Sequence, residues 1–276
     1  MPILDPNSIK KIVRGNFNKS VGLYEQFEKK YGLFKYLTVK LAEQCSVQSG
    51  CLVSDIGCGT GTSSFILSDL VGPNGSVVGV DFSEEMIKVA NEKLDVSSNK
   101  NIKFICCDAI ELVKHIDIDF DSILFNASIF LIPEPINTLK VSYQKLVSGG
   151  TVGMNYLVGM YNTAELEEKS INLFNYVKEC NQPFSPYGRA INDTAKLPEL
   201  LSEVGFTNVD SKSISKEFSS DEFKAFYSIP AQSAALWPKN SYPERLANLE
   251  SIIEFLDDKN INKYFQHWGW CSAVKE

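Results

Sequence analysis

Val53-Ser54-Asp55-Ile56-Gly57-Cys58-Gly59-Thr60-Gly61-Thr62 sets an apolar strand, a glycine-rich turn and a helix start in one short run. Glycine admits backbone angles and close ligand approach that a Cβ would block. Three glycines at alternate positions therefore predict a turn pressed against a bound molecule. The next apolar run, Ser76-Val77-Val78-Gly79-Val80, ends on Asp81. A glycine turn beside a strand-end carboxylate is suited to holding a nucleoside.

Working outward, strands and helices alternate from about residue 52 to residue 157. Strands are expected at 51–56, 76–81, 102–107, 122–126 and 151–157, with helices at 62–70, 83–94 and 136–147. This alternation is the pattern of a parallel sheet covered on both faces. Ser83-Glu84-Glu85-Met86 supplies a serine cap and first-turn acids, and Gly149-Gly150 ends the third helix. A helix at 194–204, a strand at 208–215 and a last strand around Trp268-Gly269-Trp270 complete the pattern. The expected fold is α/β: a Rossmann-like, doubly wound, seven-stranded, mostly parallel sheet with a mainly helical lid.

Six segments follow. Residues 1–50 carry apolar positions at helical spacing (Phe17, Val21, Tyr24, Phe27, Tyr31, Phe34) and form an N-terminal helical cap. The core runs over 51–157 and resumes at 192–215. Lid insertions are expected at 158–191 and 216–263, the second opening with the capping-box-like Ser219-Ser220-Asp221-Glu222. The final core strand lies in 264–276. Interruptions of this length above a binding cleft are usually functional.

The 276 residues carry a net charge of −7, which argues against nucleic acid as a partner, since phosphate binding needs concentrated Lys and Arg. Seven cysteines show no C-x-x-C pair; Cys106-Cys107 reads either as a soft-metal site or as two ordinary strand residues, and no metal is expected. No secretory pattern opens the chain and no apolar run reaches membrane length, so a soluble cytoplasmic protein without a membrane partner is expected. The sequence sets no oligomeric state.

In an open α/β sheet, ligands lie beyond the carboxyl ends of the strands where strand order reverses. Asp81 can accept from two ribose hydroxyls there. Asp108 ends the third strand and can meet an adenine amino group, while Asn126 ends the fourth and supplies a polar tip. The dinucleotide fingerprint G-x-G-x-x-G seats a pyrophosphate. Here the spacing is Gly57-x-Gly59-x-Gly61, and Asp55 before it disfavours a pyrophosphate while suiting a cation. An NAD-dependent oxidoreductase stands as the alternative, and this spacing counts against it.

Asp55-Ile56-Gly57-Cys58-Gly59-Thr60-Gly61, then Val80-Asp81, Cys107-Asp108 and Asn126, resemble the successive motifs of class I S-adenosylmethionine-dependent methyltransferases. Phe17-Asn18-Lys19-Ser20-Val21-Gly22-Leu23-Tyr24 is similar to the opening segment of the small-molecule type, which includes the ubiquinone/menaquinone and malonyl-acyl-carrier-protein groups. The resemblance implies a methyltransferase with S-adenosyl-L-methionine as cofactor, and a non-catalytic S-adenosylmethionine-binding protein is a third reading. Gly57, Gly59 and Gly61 would line its methionine portion, Asp81 its ribose, Phe82 and Met86 its adenine faces, and Asp108 with Ala109 the adenine edge. Tyr24 would touch the methionine end or serve only in helix packing.

Methyl transfer is an in-line displacement, so positioning and water exclusion can supply most of the rate. If a base is needed, His267 is the candidate, against the plainer reading of a packed histidine; His115 has less claim. Lid aromatics (Phe174, Tyr176, Phe184, Tyr187, Phe223, Phe226, Tyr227, Trp237, Tyr242) are either core or the lining of an apolar substrate pocket. Arg14 or Arg189 would hold a carboxylate or be a surface charge. The Asn-Pro-Pro-aromatic motif of nucleic-acid amino methyltransferases is absent, because Asn126 precedes Ala127-Ser128-Ile129. A small, apolar or carboxylate-bearing acceptor is expected.

Overall fold

A computed structural model describes residues 5–165, 170, 173 and 196–276. Three helices open the chain: α1 (Pro6–Asn18), α2 (Val21–Tyr31) and α3 (Leu33–Gln44). Asp5 caps α1 by accepting from the Asn7 and Ser8 amides. Gly32 has no side chain to cap α3, and the buried Glu28 carboxylate takes that role from α2, accepting from the Phe34 and Lys35 amides at 2.9 and 2.8 Å. The alternating core follows: β1 (Leu52–Ile56), α4 (Thr62–Val71), β2 (Ser76–Asp81), α5 (Glu84–Val96), β3 (Ile102–Cys106), the single-turn α6 (Leu112–His115), β4 (Phe120–Phe125), α7 (Pro135–Lys145) and β5 (Leu146–Tyr161). The cap expected at Ser83 forms, its hydroxyl accepting from the Met86 amide.

Beyond the undescribed stretch come α8 (Leu197–Val204), β6 (Thr207–Phe218), α9 (Ser220–Ser228), α10 (Pro230–Leu236), α11 (Tyr242–Asp258) and β7 (Tyr264–Val274). The sheet order is β3-β2-β1-β4-β5-β7-β6. The pairs among β1 to β5 are parallel, and β7 runs antiparallel to both β5 and β6. The seven-stranded, mostly parallel sheet expected from the sequence is present.

Three strands are longer than their apolar runs suggest. β5 extends from 146 to 161, β6 reaches Phe218 and β7 begins at Tyr264, so these strands form one long ladder. Ladder hydrogen bonds, which hydropathy does not report, carry the pairing outward. The helical insertion accordingly starts at Ser219 rather than 216.

Alternation along each strand divides the core between two faces. Val53, Val77 and Leu124 face α3 and α4 with Leu37, Leu41 and Leu67; Trp268 and Trp270 share this face. Ile56, Val78, Val80 and Ile123 face the opposite layer with Leu139, Leu197 and Leu201. The chain leaves β1 toward β2 and β3 and returns to β4 on the other side of β1, which opens a crevice at the carboxyl ends of β1 and β4. α1 packs on α5 and α10, and α2 on α9, so helices from both ends of the chain meet above that crevice. Of the first lid insertion, residues 166–169, 171, 172 and 174–191 lie outside the described residues. So do Phe174, Tyr176, Cys180, Phe184, Tyr187, Arg189 and the expected helix start at Thr194.

Candidate cofactor and acceptor site

One cavity of about 1210 Å³, its open mouth included, occupies the crevice. Its floor is the glycine turn. Gly57, Gly59 and Gly61 have φ of 76°, 54° and 86°, all left-handed, so glycine is the residue that holds this path without strain. The Gly57 and Cys58 amides both donate to the Val80 carbonyl, tying the turn to β2. The three glycines differ in what surrounds them. A Cβ on Gly57 would lie 2.4 Å from Ser128 Cβ, and one on Gly61 2.8 Å from the Phe104 ring. A Cβ on Gly59 would meet only the Tyr24 hydroxyl, at 3.9 Å. Gly57 and Gly59 line the cavity. Gly61, expected to line it as well, faces the Phe104 packing instead, because the chain has by then turned into α4.

Asp81 closes β2 at the cavity wall. Its Oδ2 accepts from the Gly59 amide and its Oδ1 from the Ser83 amide, both at 2.9 Å. Burial pushes its carboxyl above the ordinary range, while those amides pull it down. Each oxygen keeps a lone pair for a further donor. Phe82, Met86, Ala109 and Asp108 stand beside it in the same half of the cavity.

Two expected acids stand differently. Asp55 is fully buried beneath the turn and is absent from the cavity wall: Ser64 Oγ donates to its Oδ2 at 2.7 Å, Oδ1 has no partner, and burial pushes the carboxyl up to about 7. It shapes the turn from below. Asp108 is in the wall but engaged: Lys10 Nζ lies 2.7 Å from Oδ2, and the Ile110 amide donates to Oδ1. Lys10 itself lines the cavity. The sequence reading missed it, although the polar stripe Lys10, Arg14, Asn18 at helical spacing was its signal. Arg14 pairs with Glu84, and Asn18 accepts from the Ser83 hydroxyl. Arg14 is thereby committed to the rim.

Asn126 borders the cavity, yet its amide is spent within the protein. Nδ2 donates to the Phe34 carbonyl, Thr38 Oγ1 and Ser63 Oγ, and Oδ1 accepts from Asn155 Nδ2. It is a buried junction rather than a free polar tip. Tyr24 stacks on Phe34 with centroids 4.8 Å apart, and its buried hydroxyl is held well above its ordinary pKa, hence protonated. Thr60 donates its hydroxyl to Glu25, which Lys93 also approaches at 3.3 Å, so α2 is strapped to the turn and to α5.

The other half of the cavity is apolar. Phe34, Phe130, Leu157, Phe226 and Trp268 form its walls, with Gln232 as a polar side chain from α10. Among the expected lid aromatics Phe226 lines the cavity, whereas Phe223, Tyr227 and Trp237 are buried in the core. Tyr242 donates its hydroxyl to the Ser228 carbonyl, joining α11 to α9.

His267 does not reach the cavity. β7 alternation puts Trp268 on the cavity face and His267 on the reverse, where Nε2–H donates to the Thr163 carbonyl at 3.0 Å and the ring meets Tyr161 edge-on. His115 is exposed at the end of α6. Cys107 touches the cavity and Cys106 is exposed; no cluster of three or more metal-ligating side chains occurs among the described residues.

A family model described as a methyltransferase domain matches residues 47–217, more than half of the chain. The chain belongs to the class I S-adenosylmethionine-dependent methyltransferases. A demethylmenaquinone methyltransferase of Listeria monocytogenes is 27% identical over 182 residues, 59% of this chain and 73% of the relative. The YcgJ protein of Bacillus subtilis shares the fold with a TM-score of 0.60 at 13% identity, covering 88% of this chain and 99% of that one. Phosphoethanolamine N-methyltransferase 2 of Haemonchus contortus, solved with S-adenosyl-L-methionine, gives 0.55 at 18% identity; 86% of this chain aligns, with 52% of that longer chain. No helix among the described residues is long and apolar enough to cross a membrane.

The donor half of this methyltransferase fits its cofactor. The unfilled cradle at Gly59, the two carboxylate oxygens of Asp81 and the apolar slot at Phe82 and Met86 match a turn-bound chain, a vicinal diol and a flat base in order.

Proposed function

We propose that the enzyme methylates a small, largely apolar acceptor bound between β5, β7 and the lid helices α9 and α10. The observation that carries this reading is the continuity of one cavity from the Asp81 end to the aromatic wall of Phe130, Phe226 and Trp268. Bound S-adenosyl-L-methionine supplies a methyl group already activated by positive sulfur. Asp81 would take the ribose hydroxyls, Gly57 and Gly59 the methionine portion with Tyr24 above it, and Phe82, Met86 and Ala109 the adenine. Asp108, already paired with Lys10, would meet the adenine edge with its remaining lone pairs.

The aromatic walls exclude water and orient the acceptor, which for a displacement at activated carbon is the main demand on the protein. On the acceptor side the described lining carries the Gln232 amide, with Asn126 and Ser128 engaged within the protein, and no charged side chain among the described lining residues there, which favours an uncharged acceptor over a carboxylate. The Lys10 ammonium is committed to Asp108 at the opposite end. The acidic chain supports a metabolite rather than a nucleic acid as substrate. The free thiols support a cytoplasmic setting. Demethylmenaquinone, named for the Listeria relative, is an acceptor of the expected class.

The test is incubation with methyl-labelled S-adenosylmethionine and, separately, reduced demethylmenaquinone and a fractionated metabolite extract. Label in an organic-soluble small molecule supports the reading. Tight binding of S-adenosylhomocysteine with no labelled product would favour a non-catalytic binder, and label in RNA or protein would overturn the acceptor class.

A further inference from the structure

A central strand is a costly place for an amide, and Asn155 is fully buried in β5. Both of its polar ends are used. The Ala127 amide can only donate, so Asn155 offers it Oδ1 at 2.6 Å. Nδ2 then donates to Asn126 Oδ1 at 2.7 Å. That contact forces Asn126 to send its own Nδ2 toward Phe34, Thr38 and Ser63. One buried side chain thereby sets the direction of a second and joins β4 to the N-terminal ends of α3 and α4.

Ala127 has φ of 54°, a left-handed conformation that its Cβ resists. The Asn155 oxygen holds the amide of this residue. One position on, Ser128 donates its hydroxyl to the Ile56 carbonyl at 2.6 Å and fills the space beside Gly57. The loop after β4 is thus pinned to β5 on one side and to the glycine turn on the other. It then carries Phe130 and Leu131 along the cavity wall. Here the acceptor wall is registered against the donor half.

We propose that Asn155 is a positioning residue for methyl transfer: outside the cavity itself, it clamps Ala127 in left-handed geometry and so aligns the loop after β4 with the glycine turn. The proposal rests on the reading of this cavity as the transfer site. Displacement along a line is sensitive to misplacement on the ångström scale, so loss of the clamp should act on turnover more than on cofactor affinity.

The test uses the full chain carrying Asn155→Ala, alone and with Ala127→Gly, since glycine adopts the left-handed angle without a clamp. Amide hydrogen exchange over residues 126–132 is expected to speed up about tenfold or more in Asn155→Ala. S-adenosylhomocysteine affinity by calorimetry should stay within about threefold, while label transfer to reduced demethylmenaquinone falls about tenfold or more. Ala127→Gly should return much of both losses, and the lost rate beside a retained S-adenosylhomocysteine affinity is the readout that a merely structural role would not give. Unchanged exchange, a rate loss that Ala127→Gly leaves in place, or an affinity loss equal to the rate loss would each overturn the proposal. If Asn155→Ala does not fold, Asn155→Ser carries the same measurements. Should the wild-type enzyme label nothing, the acceptor reading fails, and the exchange measurement by itself decides whether Asn155 holds the loop.

Discussion

The Gly59 amide donates to Asp81 Oδ2 at 2.9 Å, so the centre of the glycine turn and the end of β2 form one hydrogen-bonded unit. A ligand that engages Asp81 is therefore held by the same group that shapes its cradle.

Asp81→Ala removes both the clamp on Gly59 and the acceptors proposed for the ribose. Affinity for S-adenosylhomocysteine is expected to fall by about 2 kcal/mol, roughly 30-fold, as charge-assisted hydrogen bonds are lost. Calorimetry measures this, and an unchanged Kd would remove Asp81 from the ribose site.

Two glycine substitutions should separate stability from binding. Gly61→Ala puts a methyl 2.8 Å from Phe104 at a φ of 86°, and a loss of about 2 kcal/mol or more in unfolding free energy is expected. Gly59→Ala meets no atom closer than 3.9 Å and carries only the conformational strain of about 1 kcal/mol. Its methyl projects into the cavity, so its main effect should be on cofactor Kd. Urea unfolding and calorimetry on both variants distinguish the two; equal effects would contradict the different surroundings.

Asp55 sets a pH dependence of stability. Its folded-state value, raised to about 7 from an ordinary 3.8, means that the folded protein binds this proton more tightly than the unfolded chain. Stability from this group is present at low pH, declines as pH rises between roughly 4 and 7, and is flat above that window. Asp55→Asn removes the titration. Between pH 5 and pH 8 the wild type should lose about 2.5 kcal/mol relative to the variant in urea unfolding. Parallel pH profiles would show that Asp55 ionises normally.

His267→Gln should leave label transfer within about twofold, because the ring lies on the reverse face of β7. A stability loss of about 1 kcal/mol is expected from the contact with the Thr163 carbonyl. A tenfold fall in rate in a folded variant would return His267 to the chemistry.

The donor half was legible because its elements are contiguous. Strand, glycine turn, helix cap and strand-end acid follow one another within 51–86, and local backbone chemistry decides each. Residues at 126 and 155 were less legible, since a buried Asn differs from a strand-end Asn only in what folds over it. Asn155 gave no signal within its own run, and Lys10 showed only as part of a polar helical stripe. His267 was open to two readings, base or packed histidine, because proximity to a strand near the site does not say which face of the strand a residue takes. That depends on register with β5, including its shift between Leu157 and Gly159.

The sequence by itself determined the sheet class and the glycine turn, because these depend on short-range periodicity and on which residues tolerate left-handed angles, while the methyl donor followed from the resemblance of its motifs to a family. Tertiary structure decided that Gly61 packs rather than binds, that Asp55 lies beneath the turn, and that Asn126 is a junction. It also decided that the far wall is built from α3, the loop after β4, α9 and β7. The physical reason is that burial and hydrogen-bond partners are properties of distant segments brought together.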